Sequence, residues 1–564
     1  MLSHLRRDLE RVYHVTWPLK WGQVLAYVYR KARPVTRPSA AAMSAASRAR
    51  WRDDGRYQPP FVWGPHAHQS APELQAGRFT LLGKTFDLHA TNGHTADGIQ
   101  WSATKASKHW QKMLHSFDWL GALDAEQGRA MVDAYCERMK LPLDHMALQP
   151  WTLAFRIQSI VRFHAEHTLN PQVAPYVAEW AELLALNLEY RLTGNHLLKD
   201  AIGLAFAARF LDTPAAATWR VTSDRLIRDL LAEQVGADGG HDERTPMYHA
   251  LMLYDLLDLL SILAPQDPLH DVVRGACQKM VTFQAGTTHP DGEIANLNDS
   301  GFGVAPPPRA LFDKARSFGI TPPPFATGYR WYADFGVAVL ERDDWWVIVD
   351  AGIPCAPHLA GHGHADTLTI EASLAGQRLL VDTGVSSYED LSVRNRERGT
   401  LAHNTALIGA ANSSDVYSVY RIGRRAQIVA ADGGANPEEH WFSATHEGYR
   451  PLPGAPLHTR RVAVNEQGEL HVCDRIEARE PQLWQLNWHL HPAWRVISSS
   501  DGESRNLDLQ GPEGRRVRVT CSHGTWSCEA VDVHLHFGRP EQTTAIRCHD
   551  LPTNVDVTTK FTPI

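Results

Sequence analysis

The sequence predicts an α+β protein of at least two domains, a helical N-terminal half followed by an antiparallel β-sandwich. Its 564 residues exceed what one hydrophobic core normally organises. Apolar residues recur at three-and-four spacing up to about residue 285, whereas short alternating runs dominate after about residue 329. Proline clusters at 306–308 and 322–324 separate the helical pattern from the alternating pattern. We therefore predict an N-terminal arm over 1–50, a helical domain over 51–320 and a sandwich over 325–564.

Composition narrows the function classes. The chain is 43% hydrophobic and 21% charged, as in ordinary globular proteins. A formal net charge of -7 and a pI near 6.5 argue against a general nucleic-acid binder. The seven cysteines are scattered without a C-x-x-C pair, which favours free thiols over a disulfide framework.

The N-terminus shows no apolar core of signal-peptide length, and no run of about 18 apolar residues predicts a transmembrane helix. We therefore expect a cytoplasmic protein. Basic and aromatic residues alternate along the arm. This pattern favours a plain surface helix and leaves peripheral attachment to a membrane open.

Helical periodicity defines the elements of the N-terminal half. The segment 177–192 places Val177, Trp180, Ala181, Leu184 and Leu188 on one face. Successive helical hairpins of this kind build either a solenoid or a closed ring of helix pairs. After a helical region that starts at 110, the predicted helices are 153–167, 177–192, 197–211, 222–234, 247–263 and 271–284.

Short alternating segments define the elements of the C-terminal half. Polar turns at 343–344 and 375–376 predict hairpins, and the remaining strands continue to the C-terminus. The whole pattern indicates a large sandwich of two sheets. The predicted strands are 336–341, 345–350, 367–374, 377–382, 458–464, 469–476, 483–490, 515–521 and 531–537.

Three polar turns interrupt the helical half, at 193–196 (TGNH), 239–249 (GGHDERTPMYH) and 291–301 (DGEIANLNDSG). Each turn taken alone is ordinarily structural, because helix turns are polar. Placed together on one rim of a helical ring, they would line a cleft with amides, imidazoles and a phenol.

The sandwich contributes the stretch GHGHAD at 361–366. Side chains alternate along an extended backbone, so His362 and His364 are expected to face the same side. The hairpin at 375–376 folds the following strand back toward His364. His364, Asp382 and His403 could then form a site of two imidazoles and one carboxylate, which suits Zn²⁺. An isolated H-x-H would otherwise be a solvated polar loop.

These motifs together resemble those of the heparinase II/III-like polysaccharide lyases. The three helical-half turns and the sheet-half stretches HGHADTLTIEASLAGQRLLVDTGVSSYE, RNRERGTLAHNTALI and YRIGRRA follow the family's order over about residues 105–430. The resemblance implies an incomplete (α/α) toroid followed by an antiparallel β-sandwich. It also implies β-elimination of a uronic-acid-containing polysaccharide, which leaves an unsaturated uronate end.

The resemblance further assigns residue roles. Asn195 and His196 would neutralise the substrate carboxylate. Tyr248 would act as acid, and as base for some epimers, while His362 would be the base for the others. Substrate-binding residues are expected at Glu243, Arg244, Arg398 and Asn404. A structural Zn²⁺ held by His364, Asp382 and His403 would keep the His362 loop in place.

Two other functions remain open from the sequence. Helical toroids also host glycoside hydrolases, for which Glu243, Asp291 and Glu293 are the acids in suggestive turns. A non-catalytic polysaccharide-binding or assembly factor would keep the same fold. An acidic polysaccharide or oligosaccharide is the expected partner, in a degradative or a biosynthetic setting. The uronate, the linkage, endo or exo action and the oligomeric state, including a homodimer, are left open.

Overall fold

A computed structural model of the chain describes residues 2–32, 35–58, 64, 66, 69–89, 98–138, 141–325, 327–499 and 506–564. In these residues an N-terminal toroid of paired helices is followed by antiparallel sheets, which confirms the predicted fold class. Within the same residues, none of the helices combines the length and the apolar character needed to cross a bilayer.

The helices begin near the predicted positions, and their ends are set by local capping. The predicted helix 177–192 runs instead from Val173 to Leu186, because the Asn187 side chain donates to the carbonyl of Leu183 and thereby ends the helix. The α-helices are α1 (Leu2–Thr16), α2 (Trp21–Ala32), α3 (Ala40–Ala46), α4 (Ala71–Gln75), α5 (Lys108–Ser116), α6 (Ala125–Arg138), α7 (Pro150–His167), α8 (Val173–Leu186), α9 (Gly194–Phe210), α10 (Ala216–Gln234), α11 (Pro246–Ile262), α12 (His270–Thr287), α13 (Pro308–Ser317) and α14 (Leu391–Glu397).

A buried polar network ties the central toroid helices together. Arg162 on α7 donates to Asp258 on α11 at 2.6 Å, and both side chains are buried. Lys199 on α9 reaches Asp255 on α11 at 2.6 Å and also donates to Gln158. Although burial opposes ionisation of Asp258, the Arg162 charge beside it holds the pKa of that carboxyl below its ordinary value. The network therefore fixes α7, α9 and α11 relative to one another.

The strands of the described residues are β1 (Arg50–Trp51), β2 (Arg78–Leu81), β3 (Lys84–Asp87), β4 (Leu211–Asp212), β5 (Gly328–Tyr332), β6 (Val337–Arg342), β7 (Trp345–Asp350), β8 (Ile370–Leu374), β9 (Gln377–Leu380), β10 (Ala406–Ile408), β11 (Val416–Tyr417), β12 (Arg421–Ile422), β13 (Ile428–Ala435), β14 (Glu439–His446), β15 (Leu457–Asn465), β16 (Leu470–Glu477), β17 (Trp484–His489), β18 (Arg495–Ser499), β19 (Asn506–Gln510), β20 (Arg516–Cys521), β21 (Thr525–Val533), β22 (Glu541–His549) and β23 (Val557–Pro563). In this part of the chain they form three principal antiparallel sheets, where the sequence predicts two. The five-stranded sheet has the order β5-β6-β7-β8-β9, the four-stranded sheet β10-β17-β22-β21, and the eight-stranded sheet β13-β14-β15-β16-β23-β20-β19-β18. Minor pairs are β1 with β4, β2 with β3 and β11 with β12.

The predicted strand 531–537 is only partly correct. Strand β21 ends at Val533, and the next residues leave the sheet. The backbone N–H of His534 donates to the carbonyl of Thr383, and the N–H of Phe302 donates to the carbonyl of Leu535. His534 and Leu535 therefore hydrogen-bond outside the β21 sheet. His534 bonds to the segment after β9, and Leu535 bonds to the residue that follows the third polar turn of the toroid.

The two domains meet through a mixed interface. Phe283 and Leu297 of the toroid form one buried apolar cluster with Val339 and Trp346 of the five-stranded sheet and with Phe335 in the turn before β6. Polar contacts border this cluster, with Arg378 on Asp291 at 2.6 Å and His289 against Glu371 at 3.0 Å. Apolar packing and buried ion pairs together fix the sandwich against the rim that carries the polar turns.

The Arg162–Asp258 pair generates a stability prediction. Asp258→Asn should lower the free energy of unfolding by about 3–5 kcal/mol near neutral pH, because the substitution removes the carboxylate charge that faces the buried Arg162 guanidinium. The folded-state pKa of Asp258 is depressed, so this stabilisation is present above about pH 4 and is lost as the pH falls through the folded-state pKa. Denaturant unfolding from pH 7 to pH 3 should therefore show the wild-type and variant curves converging in acid.

The matched control is Asp229→Asn, which changes an exposed carboxylate on α10. It should alter stability by less than about 0.5 kcal/mol. A wild-type advantage over Asp258→Asn that stays constant down to pH 3 would show that the Asp258 charge is not its source.

Candidate active site

The first polar turn places Asn195 at the start of α9. Gly194 has φ +54°, and a Cβ there would meet Glu243 Oε1 at 2.3 Å, so only glycine lets the two turns approach. The Asn195 backbone N–H donates to Glu243 Oε1 at 2.8 Å, and its side-chain Nδ2 donates to Glu243 Oε2 at 2.7 Å. Glu243 therefore fixes the orientation of the Asn195 amide.

Tyr248 and His362 come from different domains and lie in direct contact. Thr245 precedes Pro246 at the start of α11, which places Tyr248 in the first turn of that helix. His362 lies on the loop before β8, and its ring centroid is 4.0 Å from that of Tyr248. Nε2 of His362 lies 3.7 Å from Glu243 Oε2. Two groups capable of proton transfer thus meet beside the Asn195–Glu243 pair.

Asp299 of the third polar turn joins both histidines of the GHGHAD stretch. Its Oδ2 lies 2.9 Å from His362 Nδ1, and its Oδ1 lies 2.8 Å from His364 Nε2. Arg394 of α14 donates to the same two oxygens, at 2.7 and 3.0 Å. The two imidazoles therefore face the same side of the backbone and converge on one carboxylate.

Asp299 is completely buried and ionised. Burial alone would raise its pKa, but the Arg394 charge and the hydrogen bonds from His362 and His364 hold the pKa well below its ordinary value. An ionised carboxylate only accepts hydrogen bonds, so both histidines donate to it. A neutral imidazole that donates through Nδ1, as in His362, keeps a lone pair on Nε2, and one that donates through Nε2, as in His364, keeps a lone pair on Nδ1.

His364, Asp366 and His403 form a buried cluster beside this carboxylate. One ligand atom from each residue lies within 4.8 Å of the others. Among the described residues, no hydrogen-bond partner exists for His364 Nδ1, His403 Nε2 or either Asp366 oxygen. Burial raises the pKa of Asp366 to about 6. Buried, unpartnered imidazole and carboxylate atoms are the donor set that holds a metal such as Zn²⁺, so these residues fit the metal implied by the sequence.

The predicted ligand Asp382 lies outside this cluster. Its Oδ2 accepts a hydrogen bond from His403 Nδ1 at 2.7 Å, on the side of the ring opposite the unpartnered Nε2. Asp382 therefore orients His403 in the way that outer carboxylates orient metal-binding histidines. The geometry thus groups Asp366, and not Asp382, with the unpartnered nitrogens of His364 and His403.

Comparison with known protein families agrees with this geometry. The family models described as heparinase II/III N-terminus and heparinase II/III-like, C-terminal match residues 163–305 and 326–559. The chain belongs to the heparinase II/III-like family. The two matched regions contain Asn195, Glu243 and Tyr248 on the toroid and His362 on the sandwich.

Individual relatives are more distant. A heparin-sulfate lyase of Bacteroides stercoris is 26% identical over 377 residues, covering 58% of this chain and 52% of that protein. The chain thus spans about half the length of that relative. FtsZ-localized protein C of Caulobacter vibrioides is 23% identical over 498 residues, covering 82% of this chain and 81% of that protein.

Solved structures show the same heparinase-like fold. Heparinase III superposes with a TM-score of 0.71 at 17% identity, covering 96% of this chain and 89% of that chain. A mutant of heparan sulfate lyase HepC from Pedobacter heparinus superposes with a TM-score of 0.59 at 17% identity, covering 96% and 88%.

Two of the predicted substrate-binding residues are buried, with their donors bonded to backbone carbonyls. Arg398 is buried and donates to the carbonyl of Gly363 at 3.0 and 2.8 Å, so it holds the loop between the two histidines. Asn404 is buried and bridges the carbonyls of Ile370 and Val381. Neither side chain reaches a cleft, because backbone groups occupy their donors.

Arg244 and His196 occupy different surroundings. Arg244 donates to the carbonyl of Ile353 at 3.3 Å and thereby joins the toroid to the sandwich, next to Glu243 in sequence but directed at the other domain. His196 is half-buried on α9, and its Nδ1 lies 2.8 Å from Glu189 Oε2. Of the predicted catalytic set, Asn195, Tyr248 and His362 therefore cluster tightly, while His196 lies on the adjoining wall.

This wall is lined by aromatic and basic groups that the sequence did not predict. The ring centroids of Trp151 and His196 are 6.4 Å apart, and Lys112 Nζ lies 6.0 Å from the Trp151 ring. On the other side, Tyr388 contacts His109 with a centroid distance of 5.2 Å. Burial, followed by nearby positive charge, lowers the pKa of His109 to about 3, so this imidazole is neutral. Flat rings beside a cation are suited to a charged sugar.

The Arg394–Asp299 pair generates the prediction for this site. Arg394→Met should lower the free energy of unfolding by about 3–5 kcal/mol, because Asp299 would keep its charge in a buried position without its strongest partner. Urea unfolding measures the loss.

Arg396→Met is the matched control, since Arg396 lies on the same helix and is exposed. It should cost less than about 0.5 kcal/mol. Equal effects of the two substitutions would show that the buried ion pair does not stabilise the site.

Proposed function

We propose that this protein is a polysaccharide lyase that cleaves a uronic-acid-containing acidic polysaccharide by β-elimination. The contact between Tyr248 and His362, next to Asn195, carries the proposal. It brings together a phenol, an imidazole with a free Nε2 and an oriented amide. These three groups match the three requirements of the reaction.

The reaction first needs stabilisation of developing negative charge. Removing the proton on C5 of a uronate places charge on the adjacent carboxylate, and hydrogen-bond donors must spread it. Asn195 Nδ2 donates one hydrogen to Glu243, which leaves its second N–H for a substrate carboxylate. The Asn195 amide is preorganised, because Glu243 also holds its backbone N–H.

The second requirement is a base for the C5 proton. His362 donates its Nδ1 proton to Asp299, so Nε2 is the basic atom. The ionised Asp299 stabilises the imidazolium that forms when Nε2 takes the proton, as a carboxylate does in other histidine-based sites.

The third requirement is an acid for the leaving O4. Burial, followed by the Asp299 charge, raises the pKa of Tyr248 well above its ordinary value, so the phenol keeps its proton at neutral pH. Tyr248 delivers this proton as the C4–O4 bond breaks and the C4=C5 double bond forms. For the opposite C5 epimer, the proton faces the other side of the ring. Tyr248 would then first pass its phenolic proton to Nε2 of the adjoining His362, and the phenolate would take the C5 proton and deliver it to O4.

The other functions considered from the sequence fit the geometry less well. A glycoside hydrolase needs two available carboxyl groups, but Glu243 is engaged by Asn195 and Asp291 is paired with Arg378. A binding protein without activity would not require a free imidazole nitrogen beside a protonated phenol. Lys112 and Trp151 on the wall support an acidic sugar as the ligand.

A panel of uronate-containing polymers tests the proposal through the ultraviolet absorbance of unsaturated ends. On an active polymer, Tyr248→Phe should reduce kcat by about 10²–10⁴-fold, and Asn195→Ala by about 10²–10³-fold. Tyr254→Phe, on the same helix with its ring near Arg162 and away from the cleft, should retain activity.

Reducing sugar released without new absorbance would instead establish a hydrolase. Binding of acidic polymers without any cleavage, unchanged by Tyr248→Phe, would establish a non-catalytic binding protein.

We also propose that His364, Asp366 and His403 hold a structural Zn²⁺. Bound there, the ion would fix the loop that carries His362 and supply no group to the reaction. Asp299 and Asp382 support the assignment, because each accepts the proton of one imidazole and leaves its other nitrogen free for the ion.

Metal content and thermal unfolding test this assignment. His364→Ala and Asp366→Asn should each remove the metal and lower the Tm, whereas His362→Ala should keep both. Asp382→Asn should weaken metal affinity by about 10–100-fold, as loss of an outer hydrogen-bond partner does.

Elemental analysis after dialysis distinguishes the variants, with chelator-treated wild type as the reference. Loss of metal in Asp382→Asn together with full retention in Asp366→Asn would make Asp382 the ligand. Unchanged metal content in His364→Ala would rule the site out.

A further inference from the structure

The N-terminal helices α1 and α2 are oriented with polar residues toward the protein and apolar residues toward solvent. On α1, Arg11 donates to both oxygens of Asp415, at 2.8 and 2.7 Å. On α2, Gln23 is buried and donates to the carbonyl of His358 at 3.3 Å. Gln23 also donates to the carbonyl of Arg191 on the toroid, at 3.5 Å. Polar contacts of this kind fix which face of each helix meets the protein, and they bind the helices to both domains.

The outward face holds a continuous set of large apolar side chains. Trp17 is 75% exposed, Trp21 83% and Leu25 68%. Tyr13 stacks on Trp17 with a centroid distance of 5.8 Å, which extends the face along α1. Among the side chains described on the two helices, the other exposed large apolar residues are Leu9, Val12, Tyr27, Val28 and Tyr29. An exposed apolar patch of this kind on a folded protein is typical of a surface that contacts a membrane or another molecule.

The sequence of the N-terminal arm is basic, whereas the whole chain is acidic. The first 37 residues contain eight lysines and arginines against two acidic residues, whereas the chain has a formal net charge of -7. Lys31 and Arg37 are exposed next to the patch. Their long side chains can reach an anionic surface while the apolar face inserts beside them.

We propose that α1 and α2 form a docking surface for an anionic lipid membrane. Trp and Tyr prefer the boundary between headgroups and acyl chains, and Leu and Val insert below it. Basic residues add attraction to acidic headgroups. A second copy of the chain fits less well, because a symmetric contact would place one basic patch against another.

Docking through this face also places the site relative to the bilayer. Gln23 contacts the carbonyl of His358 on the loop that continues to His362, and Lys20 pairs with Glu233 near the second polar turn. The helices thus lie beside the same domain junction that holds the cleft. The docking surface and the cleft therefore share one rigid support.

Sedimentation with lipid vesicles tests the proposal on the full-length protein. Wild type should bind vesicles of an equimolar mixture of phosphatidylglycerol and phosphatidylcholine, and added salt should weaken the binding. Trp17→Ser/Trp21→Ser should reduce the partition coefficient by about tenfold or more, since two exposed indoles no longer insert. Lys31→Glu/Arg37→Glu should reduce it by about tenfold through charge.

The matched control is Leu483→Ser, which removes a side chain that is 82% exposed on the sandwich. It should bind vesicles as wild type does, and circular dichroism should show that all the variants are folded. Three results would overturn the proposal: no vesicle binding by wild type, undiminished binding by the tryptophan variant, or equal binding to pure phosphatidylcholine. A dimer in the absence of lipid that the tryptophan variant dissociates would identify a second copy as the occupant.

Discussion

The candidate site depends on one buried carboxylate. Asp299 lies on a toroid turn, yet the side chains that satisfy it come from the sandwich, namely His362, His364 and Arg394. Burying this charge without Arg394 would be strongly unfavourable, so the carboxylate stays ionised in its buried position only because the docked sandwich supplies its partners. The contacts of Asp299 therefore stabilise both the arrangement of the cleft and the packing of the two domains.

The same carboxylate gives two neighbouring histidines different tasks. Both imidazoles donate to Asp299, but through different nitrogens, Nδ1 in His362 and Nε2 in His364. The free nitrogen of His362 consequently lies beside Tyr248, and that of His364 belongs to the buried cluster with Asp366. The two histidines are therefore not equivalent, although they are neighbours in sequence, because each leaves a different nitrogen free. A single substitution at Asp299 would disturb both.

The sequence predicts the fold class and the grouping of Asn195, Tyr248 and His362 well, because both leave local signatures. Helical and alternating periodicity report which face of an element is buried, and the turns with Asn195, Tyr248 and His362 carry residue types suited to proton transfer. Ion pairs between domains leave no such signature. Asp299 and Arg394 are 95 positions apart, and no local sequence pattern around either residue predicts that they pair.

Burial explains the remaining differences between sequence and structure. Arg398 and Asn404 lie in a polar stretch that resembles a binding loop, but their donors are consumed by backbone carbonyls. Asp366 and Asp382 are both near His403, and only the positions of unpartnered atoms separate a ligand from an orienting group. The N-terminal helices present the opposite case, since there the apolar side chains are exposed. Sequence periodicity shows that such a helix has an apolar face, and the polar anchors Arg11 and Gln23 decide that the face points outward.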